Sequence, residues 1–395
     1  MSPQVLVVRV ARALVVAGLV VAGSTAGAQA GRSDVAKPWS LRMSEAVMKR
    51  NPIVSPRWDY TSGLVMLGMQ RLGEQRKDAR LLEYVRTNMD RFIKPDGSID
   101  TYKKDEFNLD QINQGRLLFP LMAHAKDDRY RKAADLLRAQ LKAQPRVAEG
   151  GFWHKQIYPR QMWLDGLYMA EPFYAQYAQV TGESAAFDDV AKQFLLAARY
   201  TRDVRTGLLH HAWDESHTQR WADTTTGRSL HAWGRGAGWY MMALVDVLDY
   251  LPANHPARTT LIGVLQETAR AIADVQDPVS GLWFQVMDQP GRSGNYLEAS
   301  GSSMFTYAFA KGARMGYLEP RYRAIAERAF DGLVTRLVTT DADGLVSLNG
   351  ICAVAGLGGN PYRDGSYEYY IHEPVVSNDY KGVGSFILAA LELKR

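Results

Sequence analysis

One short stretch decides the fold of this chain. Residues 63–68 read Gly63-Leu64-Val65-Met66-Leu67-Gly68, with small and apolar side chains at every position. Such a segment suits a helix that is packed on all sides, whereas a surface helix would show one polar face. Two later stretches share this character, namely Gly236-Ala237-Gly238 and Met304-Phe305-Thr306-Tyr307-Ala308. We therefore expect these segments to form the inner layer of a two-layered helical protein.

Helical periodicity extends outward from these stretches, and the predicted helices come in pairs joined by short polar or Gly/Pro turns. The five predicted hairpins are 59–74 with 78–93, 109–124 with 128–142, 163–181 with 184–200, 233–250 with 256–275, and 300–316 with 320–338. Two more helices, near 40–50 and at 379–393, have no partner that is adjacent in sequence. They would make a sixth hairpin if the chain closes on itself.

Six hairpins predict an all-α fold, the (α/α)6 barrel, in which the first helices of the pairs form an inner ring. The alternative is an open α-solenoid, whose repeats keep a tight, fixed period. Here the pair starts at 59, 109, 163, 233, 300 and 379 are irregularly spaced. The irregular spacing favours the closed barrel.

The first thirty residues differ from the rest of the chain. Arg9 and Arg12 precede an apolar run at 13–22, and small residues end in Ala28-Gln29-Ala30. This pattern predicts a cleaved secretory signal, because the run is shorter than the roughly 20 apolar residues that span a bilayer. We expect an exported protein, periplasmic or secreted, with residues 1–30 as signal and 31–395 as a single catalytic domain.

The composition limits the possible partners. Hydrophobic residues make up 46% of the chain and charged residues 23%, which excludes a disordered or collagen-like protein. The net charge of +5 falls to +3 without Arg9 and Arg12, too small an excess to indicate nucleic-acid binding. Cys352 is the only cysteine, so no intrachain disulfide can form. Nothing indicates membrane association after signal cleavage or an obligate protein partner.

The inner helices would all point the same way, so their N-termini should meet at one mouth of the barrel. Aromatic and acidic residues recur there, in 57–60, 108–113, 161–166, 231–236 and 378–382. Each acid alone is well explained as a helix cap. Tryptophans beside acids are typical of a carbohydrate cleft, since sugar faces stack on indole rings. We expect Trp58, Trp163, Trp233 and Trp239 to surround one such cavity.

Histidines in the connecting segments raise the question of a metal. His210, His211 and Asp214 are close in sequence, but their spacing matches no known ligand motif. We expect neither a metal nor a cofactor. Motifs for nucleotide binding or a serine nucleophile are also missing from the sequence, and the glycines at 234–238 open a helix that no predicted strand precedes.

The motifs at the mouth resemble those of glycoside hydrolase family 105, the unsaturated rhamnogalacturonyl hydrolases, from about Trp58 to the end of the chain. The matching segments are Leu109-Asp110-Gln111-Ile112-Asn113, Gln161-Met162-Trp163-Leu164-Asp165-Gly166-Leu167-Tyr168-Met169, His211-Ala212-Trp213, His231-Ala232-Trp233-Gly234-Arg235-Gly236-Ala237-Gly238-Trp239 and Asn378-Asp379-Tyr380-Lys381-Gly382-Val383-Gly384.

This resemblance implies an (α/α)6 barrel that acts on a small unsaturated oligosaccharide without a metal. The substrate would carry a terminal Δ4,5-unsaturated galacturonate, which is released by hydration of its double bond. Asp165 matches the acid/base residue of the family, and Asp110 matches a second aspartate of the pocket. Substrate contacts would come from Tyr60, His154, Trp163, His211, Trp233, Arg235 and Trp239.

Hydration by one acid/base group requires Asp165 to begin in its protonated form. We therefore expect burial between Trp163 and Trp233, with Asp110 nearby, to raise its pKa and give a mildly acidic pH optimum. Two alternatives remain open. The chain could be an inverting hydrolase of intact glycans that uses Asp110 and Asp165 as its two carboxylates, or a non-catalytic exported sugar-binding protein. The loops 214–230 and 285–299 are expected to select the sugar that follows the uronate.

Overall fold

The computed structural model describes residue 1 and residues 37–395, and the residues from Lys37 to Arg395 form one compact unit. The predicted signal segment lies outside the described residues, apart from residue 1, and stays a prediction. In the described part of the chain, no helix has both the length and the apolarity needed to cross a bilayer.

Helices account for most of the described chain. In chain order they are α1 (Trp39–Arg50), α2 (Tyr60–Arg76), α3 (Ala79–Asp90), α4 (Leu118–His124), α5 (Asp128–Ala143), α6 (Leu164–Thr181), α7 (Ala186–Thr201), α8 (Gly234–Val247), α9 (Arg258–Asp274), α10 (Ala299–Arg314), α11 (Arg321–Arg336), α12 (Tyr367–His372) and α13 (Tyr380–Leu393). All the predicted hairpins are present. Their inner members α2, α6, α8, α10 and α13 are buried over most of their length.

The two ends of the chain close the barrel. Inner helix α13 packs against both α10 and α2, and α1 packs on the outside of α13. The Ser40 amide also donates to the carbonyl of Arg395 at 3.2 Å. The helices near 40–50 and 379–393 therefore form the sixth hairpin, which confirms the (α/α)6 barrel and rules out the open solenoid.

The predicted inner helix at 109–124 is only partly α-helical. Two 3₁₀ segments, Leu109–Gln111 and Asn113–Leu117, precede the short helix α4. Pro120 has no amide hydrogen for the carbonyl of Arg116, so an α-helical bond is missing at this point. Gly115 brings the segment close to its neighbours, since a Cβ there would lie 2.4 Å from a methyl of Leu137. The tighter 3₁₀ turns follow from both features.

Three short two-stranded ribbons lie between the helices, and the helical pattern did not predict them. Strand β1 (Gln161–Trp163) pairs with β2 (Ala212–Asp214), β3 (Val338–Thr340) with β4 (Val346–Leu348), and β5 (Ile351–Cys352) with β6 (Val375–Val376), all antiparallel. The register places Trp163 opposite Ala212. Because β1 leads directly into α6, this ribbon fixes the entry to an inner helix.

A buried ionic cluster ties the inner helices together at the end of α8 that is far from the mouth. The Asp246 carboxylate is fully buried and accepts from Arg116 Nη2, Lys311 Nζ and Tyr307 Oη, each at 2.6 Å. The guanidinium of Arg71 lies 3.6 Å away. Since charges removed from water must be paired, this cluster makes the stability of the barrel depend on Asp246.

Candidate active site

Asp165 and His211 are brought together by the β1–β2 ribbon. The Leu164 amide donates to the His211 carbonyl at 3.0 Å, and Asp165 is the second residue of α6. Its Oδ2 lies 3.3 Å from His211 Nε2, and 15% of its side chain remains exposed. Asp165 is thus a partly accessible carboxylate at the N-terminus of an inner helix, as the sequence predicts.

His211 is held in place from several sides. Its side chain has no exposure, and its Nδ1 lies 2.8 Å from Tyr370 Oη. The imidazole also lies 4.4 Å from the Trp233 ring and 5.4 Å from the Trp163 ring, centroid to centroid. The sequence pointed to His211 but not to Tyr370, which comes from α12 and carries no local motif. Tyr370 fixes the ring orientation of the histidine that faces Asp165.

Asp110 is already paired with two basic side chains. Its Oδ2 lies 2.5 Å from Lys155 Nζ, and its Oδ1 lies 3.4 Å from His154 Nε2. The Leu109 amide donates to the His154 carbonyl at 3.1 Å, which joins the two segments. The sequence interpretation missed Lys155, although its position directly after His154 was an available signal.

Tyr60 is half-buried and lies in the field of both acids. Burial raises its pKa strongly, and the carboxylates of Asp110 and Asp165 raise it further, whereas Arg235 lowers it. These electrostatic influences place the four side chains in one locality. Tyr60 therefore lies close enough to Asp110, Asp165 and Arg235 for their charges to act on its hydroxyl.

Three of the four tryptophans form the buried base of the site. Trp163, Trp233 and Trp239 are each at most 5% exposed, and Trp239 stacks on Tyr168 at 5.0 Å. Trp58 departs from the expectation. Its Nε1 donates to the Gln111 carbonyl at 2.7 Å, and its ring packs edge-on against Phe92 at 6.0 Å. Trp58 supports the segment behind Asp110 and does not complete a ring of four.

Arg235 is buried and rigidly held. It donates to the Cys352 carbonyl and, at 3.3 Å, to Ser300 Oγ. Its guanidinium carbon lies 4.8 Å from the centroid of Trp233. Only 1% of the residue is exposed. Its positive charge therefore reaches the site from a fixed position beside Trp233.

The expected rise in the pKa of Asp165 is contradicted by the structure. Burial alone would raise this pKa, but the hydrogen bond from His211 and the electrostatic influence of His211, His154 and Arg235 outweigh burial and lower it. The negative charge of Asp110 was expected to help raise this pKa, but the Asp110 carboxylate is paired with Lys155. Burial also lowers the pKa of His154 to about 4, so this imidazole is neutral at neutral pH.

The three side chains considered for a metal contact different partners. His210 Nδ1 lies 2.6 Å from the Ser229 carbonyl, and His211 faces Asp165 and Tyr370. The Asp214 carboxylate accepts from the amides of Thr218 and Gln219, both at 2.9 Å. Asp214 therefore shapes the loop after β2.

The chain is similar to glycoside hydrolases of known sequence and structure. Residues 35–395 match Glycosyl Hydrolase Family 88. A solved glycoside hydrolase of family 105 from C. acetobutylicum ATCC 824 is 46% identical, covers 91% of this chain and 99% of its own, and superposes with a TM-score of 0.89. The unsaturated rhamnogalacturonyl hydrolase YesR of Bacillus subtilis is 26% identical over 74% of this chain and 83% of its own. The unsaturated glucuronyl hydrolase of Bacillus sp. GL1, 15% identical, covers 93% of this chain and 97% of its own with a TM-score of 0.65, and shares the fold.

Proposed function

Because the chain belongs to Glycosyl Hydrolase Family 88, we propose that it releases a terminal Δ4,5-unsaturated galacturonate from rhamnogalacturonan oligosaccharides. The resemblance to family 105 is confirmed, and the protein is a glycosidase. The main support for this substrate and reaction is the accessible Asp165 carboxylate, which lies beside the buried His211 at the mouth of the barrel. Export, inferred from residues 1–30, stays a prediction that N-terminal sequencing of the protein from its host would check.

The proposed reaction needs one group that first gives and then takes a proton. Asp165 donates its proton to C4 of the unsaturated ring, and positive charge develops at C5. Water adds at C5 and returns a proton to Asp165, and the resulting hemiketal opens and expels the neighbouring sugar. A single carboxyl group can serve as acid and then as base.

Because the pKa of Asp165 is lowered in the free protein, Asp165 must become protonated before it can act as an acid. The bound substrate can favour this protonation. A uronate carries a carboxylate, and a like charge beside Asp165 disfavours its ionised form. Binding is therefore expected to raise the pKa of Asp165. The pairing of Asp110 with Lys155 and His154 supports a role in orienting groups, whereas an inverting hydrolase would need Asp110 as a free second carboxylate.

We expect the pH profiles of kcat/KM and kcat to differ. The profile of kcat/KM reports the free enzyme, in which the pKa of Asp165 is lowered, so kcat/KM should increase as pH falls from neutrality. The profile of kcat reports the complex, in which the uronate raises the pKa of Asp165. As pH increases, kcat should therefore begin to fall at a higher pH than kcat/KM does. Steady-state kinetics on one unsaturated disaccharide would measure both. Rates that climb toward alkaline pH would contradict the role of Asp165 as an acid.

Solvent oxygen should enter the product at C5. In H₂¹⁸O, prompt fragmentation of the product is expected to locate the label in the newly formed ketone, because water adds to C5. Absorbance of the unsaturated uronate in the ultraviolet should fade at the same time, because hydration removes the conjugated double bond. Label on the anomeric carbon with unchanged absorbance would instead support the two-carboxylate hydrolase.

A further inference from the structure

A second cavity of about 650 Å³ opens beside the candidate active site. It is lined by the segment 157–161, by Gln219 and by the loop 358–363, and we call it the rim groove. Its size lies within the range of binding sites for small organic ligands. The loop 285–299, which the sequence suggested as a selector of the next sugar, does not line it.

Stacked rings connect the wall of the rim groove to the residues of the candidate active site. Tyr158, which lines the groove, stacks on Trp163 at 4.7 Å and 15°. Trp163 in turn stacks on His154 at 4.8 Å, and His154 contacts Asp110. Trp163 also lies 5.4 Å from His211, the partner of Asp165, so the groove is within reach of an oligosaccharide whose end lies at Asp165.

Arg363 supplies positive charge on the groove wall. Its Nη2 donates to Tyr158 Oη at 2.8 Å and to the Leu357 carbonyl at 3.2 Å, and its Nε donates to the Gly358 carbonyl at 2.9 Å. The guanidinium lies against Gly356, where an added Cβ would be only 2.2 Å from Nη1. Glycine at this position thus makes room for the flat side chain, and the loop presents it in a fixed orientation.

The positive charge of the groove is not neutralised by the protein. Arg220 lies on the same rim, with its guanidinium 4.3 Å from the centroid of Tyr362. Within residues 37–395, neither Arg363 nor Arg220 has a carboxylate at ion-pair distance. Asp364, the acid next to Arg363 in the chain, accepts from the Ser366 amide instead. Since Nε and Nη2 of Arg363 already donate to the protein, Nη1 is the group that can donate to a carboxylate of a ligand in a charge-assisted hydrogen bond.

We propose that the rim groove binds a second acidic sugar of the oligosaccharide, beyond the bond that is cleaved, with Arg363 contacting its carboxylate. This inference rests on the proposed function, since it takes the terminal uronate to lie at Asp165. A substrate that fills both places is an acidic oligosaccharide longer than a disaccharide. A neutral sugar at this place would leave the charge of Arg363 unpaired.

The test compares three lyase-generated substrates: the unsaturated disaccharide, the tetrasaccharide with a second uronate, and the same tetrasaccharide with the carboxyl of that second uronate reduced to an alcohol. For the wild type we expect kcat/KM on the charged tetrasaccharide to exceed that on the reduced one about tenfold, as for one hydrogen-bonded charge pair. Arg363→Gln should abolish this ratio, and Arg363→Lys should keep part of it.

Two controls separate binding from folding. Arg336 is an exposed arginine on the outer helix α11, and Arg336→Gln should leave the ratio unchanged. Activity of Arg363→Gln on the disaccharide, which does not reach the groove, should stay close to wild type. Equal wild-type rates on the charged and reduced tetrasaccharides would overturn the inference alone. Absence of turnover on every unsaturated substrate would overturn the proposed function, and the inference with it.

Discussion

The Asp165→Asn variant is expected to lose about 10²–10⁴-fold in kcat, the range found when a general acid/base is removed. The amide keeps the shape of the side chain beside His211, 3.3 Å away, but it can neither donate nor accept the catalytic proton. Substrate binding should stay nearly intact. Loss of absorbance by the unsaturated uronate would measure kcat, and calorimetry would measure binding.

A matched control exists at the same mouth. Asp288 also faces a histidine, since its Oδ2 lies 2.8 Å from His231 Nδ1, and its side chain is 14% exposed. Asp288→Asn therefore removes a comparable carboxylate–histidine contact away from Asp165, and we expect it to keep kcat within about tenfold of wild type, well short of the loss of a general acid. An Asp165→Asn variant that retains most of its turnover would remove Asp165 from the mechanism.

The Asp246→Ala variant should lose about 3–5 kcal/mol of its free energy of unfolding, as expected when one partner of a buried ion pair is deleted. Arg116 would remain buried with no carboxylate partner, and Lys311 would keep only Asp249, whose Oδ2 lies 2.6 Å from its Nζ. Urea denaturation at neutral pH would measure the loss. As a control, Asp100→Ala removes an exposed pair with Lys94 and should cost at most about 1 kcal/mol.

The same comparison has a defined pH dependence. The positive charges of Lys311, Arg71 and Arg116 outweigh burial and lower the pKa of Asp246 well below its usual value. A carboxyl whose pKa is depressed by folding stabilises the protein above its unfolded pKa, and that contribution is lost as pH falls through the folded pKa. The difference in free energy of unfolding between wild type and Asp246→Ala should therefore be largest at neutral pH and become smaller in strong acid. A gap that is small at neutral pH would show that the cluster contributes little to stability.

Local patterns in the sequence predicted the barrel well. The all-apolar inner helices, the hairpin pairing and the caps at helix starts depend on neighbouring residues, and Asp59 and Asp379 do cap α2 and α13. The same reasoning placed Asp165, His211, Asp110 and Arg235 near one mouth, because parallel inner helices bring their N-termini together. It did not predict the break before Pro120 or the ribbon that joins Asp165 to His211.

The sequence by itself determined the helices, their pairing and the set of residues at the mouth, because periodicity and capping act over a few residues. Tertiary structure alone decided which of those groups touch. Lys155 reaches Asp110 from 45 positions away, and Tyr370 reaches His211 from 159 positions away. The direction of the pKa shift of Asp165 depended on its distances from His211, His154 and Arg235, since burial and these groups act in opposite directions and only the folded chain determines which influence is larger.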